Sequence, residues 1–214
     1  MLDLRRVESR ADVLLEAAAE SGLDAHFLGG VMYVESSGRV DAVSKVGALG
    51  LFQLMPAAAG DAAQRLKLPP PTREALLSDA RLNARLGANH LKQLQRSLGP
   101  DLERVLVAYN AGRGRLLEWE KAAGGCSAWR ELHARRGDSE TLRYAQKVLA
   151  AAERLRERGA LRAAAEARTP VTARLSSELE VGPTSAPALP APAGTEPAGE
   201  PAPAPDDPRR PERP

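Results

Sequence analysis

A single cysteine, Cys126, occurs in the 214-residue chain, which excludes an internal disulfide and any cysteine-built metal site. Its neighbours Gly124 and Gly125 bring no positioned base, so the thiol reads as structural rather than nucleophilic. The three histidines, His26, His90 and His133, are far apart and lack metal-ligand spacing, so no metal is expected. Aromatic residues make up only 3% of the chain, so the core must be built mostly from Leu, Val and Ala. Ala and Leu are good helix formers, and a helix-dominated fold follows.

No stretch approaches the length of a membrane span. Residues Met1 to Glu8 have no apolar h-region, so no signal peptide is read in them. Charge of one sign is not in great excess either. The net +2 conceals a split, with 26 Lys/Arg against 21 Asp/Glu up to Pro170 and 4 against 7 beyond it. The Arg-rich run Arg154 to Arg158 alternates with acids and reads as a solvated helix face. No recognised motif or aromatic-interleaved basic patch accompanies it, so no nucleic-acid partner is expected.

What is present falls into two parts. Eleven of the seventeen prolines lie after Val181, mixed with Ala, Glu and Thr, so residues 171–214 are expected to form a disordered Pro/Ala-rich tail. The tail is left open as a linker or as a docking segment for an envelope or secretion partner. Residues 1–170 read as one domain of successive helices. Expected spans are about Ser9 to Glu20, with Ser9 and Asp12 as a capping-box-like start, then Asp24 to Glu35, and then about Ala57 to Leu66, with Pro56 well placed to open it. Further helices are expected at about Ser78 to Leu98, Leu102 to Tyr109, Gly114 to Ala123 and Ser139 to Arg158.

Glu35 is the anomalous residue. Asp24 is a good N-cap, and Leu28, Val31 and Met32 form an apolar stripe at i, i+3 and i+4. Glu35 falls at i+7 on that stripe. Desolvation disfavours a carboxylate, so its pKa is expected to be raised, as a general acid working near neutral pH requires. A helix-ending ion pair with an Arg explains the same spacing, and the stripe alone does not choose between the two.

Four segments decide it. They are Glu35-Ser36, then Ser44 to Pro56 (SKVGALGLFQLMP), then Ala108-Tyr109-Asn110-Ala111-Gly112, and Glu140-Thr141-Leu142-Arg143-Tyr144. In this order and spacing, over about residues 10 to 158, the chain closely resembles the catalytic domain of the soluble lytic transglycosylases, lysozyme-like enzymes acting on peptidoglycan. The resemblance implies a mainly α, goose-type lysozyme-like domain with a small irregular or β-hairpin loop region. It also implies that Glu35 alone protonates the bond between MurNAc and GlcNAc, then serves as base on the C6 hydroxyl to close a 1,6-anhydro ring. Ordinary glycosidases use two carboxylates. Only Asp41 lies near Glu35 in the matched segments, and the family pattern gives it no role.

The other residues gain readings on that basis. Gly47 and Gly50 would let backbone approach a sugar closely. Ser44, Gln53 and Asn110 offer hydrogen bonds suited to N-acetyl and hydroxyl groups, and Met55 offers a soft apolar wall. The resemblance implies that Tyr109 binds the N-acetyl group or lines the cleft, and that Glu140 helps hold site and substrate in place. Trp119 and Trp129 are left out as core or rim residues. The implied partner is the peptidoglycan glycan strand, the implied state a monomer, and no organic cofactor is required. The cell envelope or periplasm is the implied location, which requires a trimmed or mis-set start or a non-standard export route. Two rivals remain: a hydrolytic lysozyme on the same fold, and a non-catalytic glycan-binding or assembly protein.

There are departures. Gly38 stands where the family usually has Phe, and Phe52 where it usually has Met, so the cleft wall is expected to be reshaped. His90 replaces a usual Tyr. Leu142 takes the place of the usual Arg, with Arg143 one position later.

Overall fold

The computed structural model of the chain describes residues 4–136 and 139–168. Among them the helices are α1 (Arg5–Glu8), α2 (Ala11–Ser21), α3 (Ala25–Ser36), α4 (Pro56–Arg65), α5 (Arg73–Ser78), α6 (Ala80–Leu98), α7 (Leu102–Ala111), α8 (Arg113–Ala123), α9 (Cys126–Arg136), α10 (Glu140–Arg158) and α11 (Ala160–Arg168). The expected Pro/Ala-rich tail, 171–214, lies outside the described residues. No described helix is long and apolar enough to cross a membrane.

Side-chain caps fix most of the boundaries. Asp24, Thr72, Asp79, Asp101 and Ser139 each accept a hydrogen bond from a backbone N–H three residues on, satisfying one orphan donor of the helix that follows. Pro56 opens α4, where a missing N–H costs nothing. The capping-box start expected at Ser9 and Asp12 is not formed. Residues 5–8 already form α1, so the Ser9 hydroxyl turns back to the Arg6 carbonyl, and α2 starts at Ala11 without a side-chain cap. Four helices were not legible in the sequence. The first and α5 are short, α9 is polar over most of its length, and α11 is separated from α10 only by left-handed Gly159 (φ +70°).

The packing that matters most for the site is α3 against α10. Two adjacent glycines on α3 permit it. A Cβ at Gly30 would lie 2.4 Å from the Val148 carbonyl, and one at Gly29 would lie 2.6 Å from the Leu155 side chain. The backbones can therefore meet almost directly, with Leu28, Val31 and Met32 sealed beneath. The residues of α10 facing α3 recur at Tyr144, Val148, Ala152 and Leu155, one apolar stripe of that helix. At the other end, Arg104 of α7 makes a paired contact with nearly buried Glu120 of α8 (2.7 and 2.6 Å) and donates to the Leu98 carbonyl. This fixes α7, which carries Tyr109 and Asn110. Burial and the Glu120 carboxylate hold the Cys126 thiol above its ordinary pKa, consistent with an unreactive structural residue.

Between α3 and α4 the chain is irregular rather than a hairpin of strands. Among the described residues, two isolated antiparallel bridges, Val43 with Leu49 and Leu49 with Leu54, are its only β pairing. Its organiser is Asn83 of α6, fully buried, which donates to the carbonyls of Leu49 and Leu76 and accepts from the Phe52 N–H. All three contacts go to backbone, so one side chain replaces the missing ladder.

Candidate active site

Glu35 occupies the last turn of α3, half-buried beside the loop just described. Its carboxyl accepts a hydrogen bond from the Tyr144 hydroxyl at 2.5 Å. Burial raises its pKa to about 7, and the Tyr144 bond opposes the rise by favouring the carboxylate. Among the described residues no cation pairs with it and no other carboxylate figures in its electrostatics. The helix-ending ion pair with an Arg is therefore not formed. A carboxyl titrating near 7 can both give and take a proton at neutral pH.

The neighbouring residue anchors it. The Ser36 hydroxyl, 2% exposed, contacts the carbonyls of Met32 and Leu51 at 3.1 and 2.8 Å. The end of α3 is thereby tied to the irregular loop. Tyr109 of α7 ties the same loop from the other side, its hydroxyl donating to the Phe52 carbonyl at 2.7 Å. Burial, with the Glu35 charge adding to it, raises the Tyr109 and Tyr144 phenols well above their ordinary pKa. His90 tilts against the Tyr109 ring at 5.5 Å, and burial lowers its pKa, favouring the neutral ring. Glu35, Tyr109, Tyr144 and the Phe52 carbonyl thus converge from α3, α7, α10 and the loop.

The residues expected to bind substrate divide into three groups. Ser44 and Gln53 are engaged within the loop: the Ser44 hydroxyl accepts from the Ala48 N–H, and the Gln53 amide donates to the carbonyls of Ala42 and Gly50. What they can still offer a sugar is the Ser44 proton and the Gln53 carbonyl oxygen. Met55, 46% exposed at the start of α4, and Asn110, exposed near the end of α7, are free to meet a ligand. Asn110 and Glu140 line a cavity of about 420 Å³ together with Arg115, Trp119, Trp129, His133 and Thr141.

Gly50 is different. It is buried at φ +74°, and a Cβ there would fall 2.2 Å from the Asn83 amide and 2.4 Å from the Leu76 carbonyl. Glycine is required so that the loop can press onto α6, not to admit a sugar. Gly47 does face open space. The two departures expected to reshape the cleft wall are also absorbed elsewhere. Phe52 is fully buried over Gly87, where a Cβ would come within 2.5 Å of its ring, and Gly38 backs onto Arg6 of α1.

Three features were missed in the sequence. Tyr144 has the most direct contact with Glu35; the sequence placed it in the fourth segment but gave it no role. Asn83 gave no signal, because its partners lie 31 to 34 residues away in the loop. Trp119 and Trp129 stack nearly parallel, centroids 5.9 Å apart, on the wall of the cavity that Asn110 and Glu140 share. Both line this cavity.

Known proteins resemble this chain in sequence and in fold. The soluble lytic murein transglycosylase of Escherichia coli K12 is 32% identical over 117 residues, covering 54% of this chain and 18% of that one. The membrane-bound lytic murein transglycosylase E of Buchnera aphidicola is 32% identical over 116 residues, covering 50% of this chain and 52% of that one. Among solved structures, an inactive variant of the lytic transglycosylase Slt from Pseudomonas aeruginosa, with a glutamate changed to glutamine, superposes with a TM-score of 0.58 at 31% identity. It covers 66% of this chain and 23% of the other. The chain thus spans between about a fifth and a half of these relatives, and the shared fold is the lysozyme-like helical one. The family model described as the transglycosylase SLT domain matches residues 12–131, and the chain belongs to that family.

Proposed function

We propose that the chain is a peptidoglycan lytic transglycosylase that cleaves the MurNAc–GlcNAc β-1,4 bond without water, with Glu35 as its only acid and base. The observation that carries this reading is a single half-buried carboxyl, raised to about 7, held by a phenol and with no carboxylate partner in its electrostatics. The protonated Glu35 gives its proton to the glycosidic oxygen as the C1–O bond breaks, and the bonding pair leaves with the GlcNAc oxygen. The developing charge at C1 is met by the substrate's own N-acetyl group. The Glu35 carboxylate then takes the proton of the C6 hydroxyl while O6 bonds to C1. The ring closes, Glu35 is again an acid, and no water has been consumed.

The inactive Pseudomonas relative, with one glutamate changed to glutamine, accords with a mechanism resting on one acid. Around Glu35, Tyr144 holds the carboxyl in position and Tyr109 with His90 forms a neutral wall. Met55, Asn110, Gln53, Ser44 and Glu140 are the proposed glycan contacts, Gly50 supporting them from behind. The enzyme acts on glycan strands in the cell envelope as a monomer, and residues 1–170 form its catalytic domain. Glu35→Gln tests the reading. Turnover of purified sacculi is expected to fall below detection while circular dichroism shows an unchanged fold, and full activity in that variant would end the proposal.

A further inference from the structure

The face of α6 turned away from the cleft carries a ladder of charges that runs out of acids. Asp12, Glu16 and Glu20 recur every four residues on α2, and Arg81 and Arg85 recur with the same spacing on α6. Arg81 pairs with Asp12 and Glu16, and Arg85 donates to Glu20 at 2.7 Å. α2 then ends at Ser21, with left-handed Gly22 (φ +66°) turning the chain, whereas α6 continues to Leu98. Its stripe goes on through Asn89, Lys92 and Arg96 with no acid opposite among the described residues.

A cavity of about 280 Å³ opens there, lined by Arg65, Arg85, Asn89, Lys92 and Arg96 with Glu20 as its one carboxylate. Two of the cations are held by neutral oxygens. Arg65, the last residue of α4, donates to the Asn89 side chain at 2.9 Å, and Lys92 donates to Gln95 at 3.2 Å. Neither of these, nor Arg96, has an ion-pair partner among the described residues. Two helix ends, those of α2 and α4, face the cavity and each supplies roughly −0.5 of charge. Against four cations and one carboxylate they leave a surplus of about +2. The Arg65 field reaches His90, whose proton affinity it lowers after burial, with exposed Asp61 opposing. The volume is several times the share of about 30 Å³ that one water takes in the liquid, so more than one oxyanion group fits.

We propose that this cavity is a second binding site, separate from the cleft, for a ligand carrying two or more adjacent carboxylate or phosphate groups. Arg65 and Arg96 supply planar donors, Lys92 a point charge, and Asn89 a neutral polar group. Glu35, Tyr109, Tyr144 and the proposed glycan contacts are not among the residues that line this cavity.

Isothermal titration of the full chain with tripolyphosphate, citrate and inorganic phosphate, at ionic strength matched with NaCl, tests the assignment. Saturable one-site binding is expected for tripolyphosphate or citrate, with inorganic phosphate at least tenfold weaker. Tripolyphosphate alone marks a phosphate ligand, and citrate alone a carboxylate one. Lys92→Ala/Arg96→Ala is expected to weaken binding at least tenfold, and Arg65→Ala on a different helix to weaken it independently. Arg154→Ala/Arg162→Ala removes the same charge from exposed positions elsewhere and is expected to change nothing. Equal losses in both double variants, unchanged binding in the Lys92/Arg96 variant, or no saturable heat with any probe would overturn the proposal.

Discussion

Replacing Tyr144 by Phe removes one hydroxyl and leaves the ring, so it isolates the bond that opposes burial at Glu35. The Tyr144 hydroxyl donates to the Glu35 carboxyl at 2.5 Å, and it favours the charged form. A hydrogen bond to a charged group is worth about 1.5 to 3 kcal/mol, and one pH unit corresponds to about 1.4 kcal/mol, so the loss raises the Glu35 pKa by roughly 1 to 2 pH units. Burial already holds that pKa at about 7. Free enzyme must carry Glu35 as the acid, so kcat/KM declines as pH rises through its pKa. The alkaline limb of the profile is therefore expected near pH 7 in the parent and between about 8 and 9 in the variant, by the same arithmetic. Release of muropeptides from sacculi, followed from pH 5 to 10, gives the limb directly. An unchanged limb, or one displaced to lower pH, would refute the reasoning, whatever happened to the maximal rate.

Three further substitutions probe the scaffold. Glu35→Gln removes the group whose folded pKa is raised from 4.5 to about 7. The acid form is favoured in the folded state, so the parent loses stability as pH rises from 4.5 to 7; thermal melts are expected to show the variant gaining up to about 3 kcal/mol over the parent at pH 8, with the gain gone below pH 4.5. No pH dependence of that difference would contradict a buried acid. Asn83→Ala leaves the Leu49 and Leu76 carbonyls and the Phe52 N–H without their partner, and denaturant unfolding is expected to show a loss of about 3 kcal/mol. Gly30→Ala forces a methyl group into the Val148 carbonyl, so Tyr144 is expected to move off Glu35 with α10, lowering activity and melting temperature together.

The sequence made the Glu35 helix legible because its information is local. The Asp24 cap, the apolar stripe and the stop after Ser36 all lie within fifteen residues, and the structure has each of them. The loop from Ser44 to Met55 was legible as a motif but not as geometry. Its glycines and amides read as sugar contacts, yet Gly50 and the Gln53 amide face Asn83, Leu76 and loop carbonyls. That information is non-local: no spacing rule links Asn83 to Leu49 or Phe52. Tyr144 was legible as part of a motif but not as the partner of Glu35, which it reaches across 109 residues because Gly29 and Gly30 let two helices approach. Phe52 shows the converse: its partner Gly87 turns an apparent change of the cleft into a change of the core.

In the proposed reaction one carboxyl acts twice, and the product records whether it does. Mass analysis of the muropeptides released from purified sacculi by the full chain distinguishes the outcomes. Fragments ending in 1,6-anhydro-MurNAc, lighter by one water than hydrolysed ones, are the expected result. Reducing MurNAc ends formed in their place would show that water, not the C6 hydroxyl, meets the Glu35 carboxylate, and would contradict it.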